Sequence, residues 1–104
     1  MPLSGRFSKA QLHAIIDEAT IYMCACPAQV CQQMLELMAL FEYQEQCLER
    51  AGNAEVHDRI AAATTQAYGA LEDCLEQILD IEGWDRGTLK MPSALRRLRA
   101  QALE

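Results

Sequence analysis

Apolar residues recur every three or four positions along nearly the whole chain, and no stretch alternates apolar with polar in the period of a strand. Leu12, Ile15, Ile16, Ala19, Tyr22 and Met23 form one such stripe, with Asp17 and Glu18 on the opposite side. Ser8 is suited to cap this helix, which runs to about Cys24. A second stripe, Val30, Met34, Leu37, Met38, Phe41 and Leu48, follows Pro27. Proline fits a first helical position because its missing N–H would have no intrahelical partner there. That helix ends near Ala51, with Gly52 as its C-terminal glycine. Asn53 can cap a third helix reaching about Glu82, with a core face of Val56, Ile60, Ala63, Ala67, Leu71, Cys74, Ile78 and Ile81. Gly83 to Gly87 interrupt the pattern. Ser93 then caps a short last helix carrying Leu95, Leu98 and Ala102.

These elements predict an all-α fold: a helical bundle with a central antiparallel hairpin, made of three long helices plus a short C-terminal helix. The three-residue link Ala51-Gly52-Asn53 is too short for anything but an antiparallel pair. The stretch Ile21–Gln32 has no Gly, Asn or Ser, so the first two helices can also be read as one helix kinked at Pro27. The 104 residues suit a single domain, with residues 1–7 as a loose leader and 88–104 as a basic C-terminal helix.

Charge is uneven along the chain. Between Ala10 and Asp85 stand fourteen acidic residues against two arginines, Arg50 and Arg59, and the net charge is −6. Such a body repels phosphates, which argues against nucleic acid as a partner. The last fifteen residues reverse the sign, with Lys90, Arg96, Arg97 and Arg99 against Glu104. This basic segment is expected to lie on an acidic body, its own or a neighbour's. Met1–Phe7 lacks an apolar stretch, and no apolar run reaches about 18 residues, so no membrane role and a cytoplasmic location are expected. The last helix is amphipathic with basic flanks but short and without large aromatics, which weakens a membrane-surface reading. A domain this small with this much apolar face is expected to form a homodimer or to dock on a protein partner.

Candidate chemistry centres on sulfur. Three of the five cysteines, Cys24, Cys26 and Cys31, fall within eight residues around Pro27. A hairpin centred near Gly52 would bring Cys74 to the height of Cys31, with Cys24 and Cys26 just beyond. Four converging thiolates, Cys24, Cys26, Cys31 and Cys74, would suit a soft metal: zinc, Cu(I) or an iron–sulfur cluster. The spacing Cys-x-Cys-Pro is less specific for metal than Cys-x-x-Cys. A thiol redox reading needs no metal. Cys26, at a helix start, would gain thiolate character, and Cys24 or Cys31 would resolve it. The plain alternative is that these thiols pack as small apolar side chains in a helical interaction module without catalysis.

Other groupings carry less. Cys47 is expected across the hairpin turn from His57 and Asp58, a Cys–His–acid set without a shaped pocket. Glu42, Glu45 and Glu49 lack the Glu-x-x-His motifs of carboxylate-bridged di-iron bundles and read as a solvated face. Met23, Met34 and Met38 are spaced as core, and Trp84 is placed to anchor the C-terminal segment. No glycine-rich phosphate loop, nucleophile elbow or zinc-protease motif occurs, so an enzyme is not expected.

Overall fold

The computed structural model describes residues 5–21, 25–50 and 54–92, and consists of three helices: α1 (Lys9–Ile21), α2 (Ala25–Arg50) and α3 (Ala54–Glu82). Ser8 opens α1 with a reciprocal cap. Its Oγ accepts the Gln11 N–H at 3.1 Å, while Gln11 Oε1 accepts the Ser8 N–H at 2.8 Å. Phe7 and Leu12, on either side of this cap, are both buried, as a hydrophobic staple requires. The second helix begins two residues earlier than the proline predicts. Pro27 sits within its first turn, where no N–H is missed, and Cys26 is helical although proline disfavours the α region for the residue before it. The link between α1 and α2 falls at residues 22–24, outside the described residues, but α1 folds back along α2, so the two are not one helix kinked at Pro27.

The two chain reversals are fixed by side chains. Lys9, at the start of α1, reaches Glu42, far along α2, at 3.1 Å, so α1 folds back along α2. Gln44 Oε1 meets His57 Nδ1 at 2.5 Å near the other reversal, which makes α2 and α3 the antiparallel hairpin the sequence predicts. Thirteen residues of α1 span about 20 Å and the twenty-nine of α3 about 43 Å, so α1 covers only part of the pair.

The third helix ends at a Schellman motif. Gly83 takes φ 75°, the Trp84 N–H bonds to Leu79 O at 2.9 Å, and the Gly83 N–H bonds to Asp80 O at 3.1 Å. Residues 84–92 then form a packed loop rather than the beginning of a helix, which corrects the expected helical segment from residue 88. Asp85 Oδ1 accepts the Gly87 and Thr88 N–H groups at 2.8 and 2.9 Å. Asp85 and Lys90 pair as an isolated antiparallel bridge, and Leu89 carries φ 58° between them. Trp84, Leu89 and Met91 are thereby turned into the core beside Phe7, Leu12, Ile15, Ala19, Cys31, Met34, Tyr68, Leu75 and Leu79. No strand forms among the described residues. The short helix expected after Ser93 lies outside them, as do Tyr22, Met23 and the side chain of Leu48.

One side chain and one helix face depart from the prediction. Glu18, expected in solvent, is 2 % exposed. Its Oε2 accepts the buried Met91 N–H at 2.8 Å, and Lys90 Nζ lies 3.6 Å from its other oxygen. A carboxylate is tolerated there because it is the acceptor for a loop N–H that would otherwise be orphaned. The core face of α3 is also rotated by about one residue, or about 100°, from the predicted stripe. Thr64, Tyr68, Glu72, Leu75 and Leu79 face inward. Of the predicted stripe, Leu71 packs against this core from its margin, and Ile60, Cys74 and Ile78 are half-buried.

Candidate interaction face

The cysteines do not gather as one site among the described residues. The register set by the Gln44–His57 contact brings Cys31 level with about residue 70, four residues or about 6 Å along the axis from Cys74. Cys31 is fully buried, and burial pushes its thiol up to about 12. At neutral pH it stays protonated, so it is not a ready nucleophile. Cys26 is exposed at the start of α2, and Cys74 is half-buried on α3. Among the described residues no group of three cysteine, histidine or carboxylate side chains is placed to hold a metal ion. Cys24, the remaining expected ligand, lies outside the described residues. At the other end, His57 pairs with Gln44 and not with Cys47 or Asp58.

A buried polar cluster was not foreseen. Glu72 is 1 % exposed and neither of its oxygens has a hydrogen bond; its charge partner is Arg6, with Nε 3.8 Å away. Arg6 also bridges Asp73 at 2.5 Å and Glu76 at 3.0 Å, and its hydrogen bond to Asp73 raises its pKa further. Tyr68 OH is buried without a hydrogen bond, and burial, then Glu72, then Cys31 raise its pKa. The signal for this cluster in the sequence is the i, i+4 series Thr64, Tyr68, Glu72, one position around the helix from the apolar stripe.

The larger feature is the stripe that the core covers only in part. Val56, Ile60, Ala63, Ala67, Leu71, Cys74, Ile78 and Ile81 follow one another at steps of three and four, the spacing of a coiled-coil seam. None of the eight is charged. Ile81 is 83 % exposed and Val56 50 %; Ala63 and Ala67 are exposed; Ile60, Leu71, Cys74 and Ile78 are half-buried. On α2, Leu40, Tyr43 and Cys47 repeat the pattern at i, i+3 and i+7, with Tyr43 60 % exposed.

Both stripes lie on one side of the hairpin. Two residues advance about 200° around a helix. Leu40 stands two residues from Glu42, which faces α1 through Lys9. Cys74 stands two residues from Glu72, which faces Arg6 of the N-terminal segment. The stripes are therefore turned away from α1 and from the segment before it. What results, among the described residues, is a layer two helices wide, covered on one side by α1 and the 84–92 loop and open on the other.

No protein-family model, no curated protein and no solved structure proves similar to this chain. No helix among the described residues is long and apolar enough to cross a membrane.

Proposed function

We propose that this protein is a non-catalytic helical association module whose working surface is the α2–α3 face opposite α1. The observation that carries this reading is the uncharged seam from Val56 to Ile81, which runs almost the length of α3 while a stripe containing Glu72 packs inside. Helices bury their apolar stripe when a partner is present, and an apolar face of this length marks an interface. The basic segment expected over residues 94–103 adds charge of opposite sign to the acidic body and belongs to the same reading.

The thiols act here as packing groups, Cys31 in the core and Cys74 on the seam. A soft-metal site on Cys24, Cys26, Cys31 and Cys74 would need Cys31, fully buried in the core, to meet the exposed Cys26. The redox alternative on Cys26 and Cys31 meets the same obstacle at Cys31.

The test uses charges placed where the monomer core does not feel them. Ala67→Glu and Ile81→Glu should abolish both the binding of an apolar fluorophore by the dilute chain and any assembly larger than one chain. Ile21→Glu, at an exposed position on α1, should change neither. Seam charges that alter nothing would remove the association reading. Thiol reactivity that rises on adding a chelator would put a thiolate-bound metal in its place.

A further inference from the structure

We infer that residues 5–7 and the 84–92 loop form one ionic latch on the second half of α3, and that the two segments open and close together through Glu76.

The segments stand at opposite ends of the described residues and meet on one carboxylate. Arg6 Nη1 lies 3.0 Å from Glu76 Oε2, and Arg86 Nη2 lies 3.3 Å from Glu76 Oε1. Glu76 therefore holds one guanidinium from each segment. The segments also touch directly: the Arg86 guanidinium sits 5.3 Å from the centre of the Phe7 ring. Phe7 is buried, and Arg86 is part of its cover. Each segment has one further tie of its own. Arg6 reaches Asp73 at 2.5 Å, and Arg86 reaches Asp80 at 3.6 Å. When either segment lifts, Glu76 loses one of its two cations and the Phe7–Arg86 contact breaks. The other segment is then held less firmly, which is the physical basis of the coupling.

The buried carboxylate beside the latch favours the open form. Glu72 is 1 % exposed, neither of its oxygens has a hydrogen bond, and Arg6 Nε at 3.8 Å replaces little of its lost hydration. The Tyr68 hydroxyl, one turn before it, is buried and equally without a hydrogen bond. Withdrawal of Arg6 lets water reach Glu72. Burial of the Phe7 ring and the ion pairs oppose that step. The ion pairs are weak ties: Arg6, Asp73, Asp80 and Arg86 are exposed and Glu76 is half-buried, so each pair contributes little and salt screens it. Weak ties over a poorly solvated carboxylate leave two states close in free energy, and ionic strength biases the choice between them. The open form presents an acidic group and an apolar seat that the closed form hides.

Limited trypsin digestion of the full chain is the test, with first cuts after Arg6 and after Arg86 timed by mass spectrometry and trypsin activity normalised on a peptide substrate. Both cuts should proceed at rates that stay level up to about 1 M urea, because lifting the latch exposes little surface. Asp73→Asn loosens only a tie of the N-terminal segment, and Asp80→Asn only a tie of the loop. Either substitution should speed both cuts, by about two- to fivefold and by the same factor. Sodium chloride at about 0.5 M should speed both cuts of the unaltered chain. A substitution that speeds only the cut in its own segment overturns the coupling. Salt and substitutions that leave both rates unchanged overturn the ionic ties. Cuts that appear only as urea unfolds the helices overturn the latch itself.

Discussion

Glu18→Ala tests how the 84–92 loop is held to the bundle. Glu18 is almost fully buried, and its Oε2 accepts the Met91 N–H at 2.8 Å, with Met91 only 4 % exposed. A hydrogen bond to a charged group contributes about 1.5–3 kcal/mol, and an orphaned buried N–H costs about 1–3 kcal/mol. These overlap, because the second is what losing the first exposes, so the substitution should cost about 2–4 kcal/mol. The Lys90 contact at 3.6 Å adds little: Lys90 is mostly exposed, and such pairs contribute about 0–1 kcal/mol. Lys90→Ala should therefore be nearly neutral, and Glu18→Gln, which keeps an acceptor, should cost about 1 kcal/mol. The assay is urea unfolding followed by circular dichroism and by Trp84, the single tryptophan, buried in the same loop. With a slope of about 1–1.5 kcal/mol/M, the Glu18→Ala midpoint should fall by roughly 2 M. Should the loop detach first, the Trp84 transition will precede that of the helices. A Glu18→Ala chain within about 0.5 kcal/mol of wild type, or a Lys90→Ala chain that loses more than Glu18→Ala, would refute the reasoning.

Three further outcomes follow from single groups. At pH 8 the native protein should alkylate at Cys26 quickly and at Cys31 only on unfolding; since unfolded thiols ionise near 9.0 and folded Cys31 near 12, its contribution to stability should be intact below 9 and fade as pH rises through that interval, which urea titrations at alkaline pH would measure. Glu72→Met should stabilise the fold by about 1 kcal/mol, because a buried carboxylate without hydrogen bonds gives way to an apolar side chain of similar volume; a lower unfolding midpoint would show that its charge contact with Arg6 outweighs its desolvation. The N–H groups of Thr88 and Gly87 hold the Asp85 carboxyl below its ordinary 3.8, so its contribution is present above that pH and is lost as pH falls through the folded value; Trp84 fluorescence should report an acid loop transition that Asp85→Asn lacks.

Much of the fold follows from local chemistry alone. Ser8 caps α1, Pro27 lies in the first turn of α2, Gly83 takes the left-handed position after α3, and the short link at 51–53 forces a hairpin. Each of these acts within a few residues, so neighbours in sequence suffice to decide it. The site was less legible. The expected convergence of Cys31 and Cys74 depended on the hairpin register, which Gln44 and His57 fix some two residues from the assumed centre, enough to part the thiols by more than a turn. Glu18 could not be read as buried, because the N–H that justifies it belongs to Met91, seventy-three residues away.

The face of α3 shows most plainly where sequence stops and tertiary structure begins. The period of apolar residues by itself determined that this segment is a helix and that Val56 to Ile81 form one continuous apolar stripe. It could not determine which side packs inward, because α3 carries two stripes one residue apart. That choice was made by the partners α3 finds: α1, α2 and the loop from Trp84 to Met91 enclose Tyr68, Leu75 and Leu79 in one core. The seam that the pattern alone would have hidden in the core was thereby left partly at the surface.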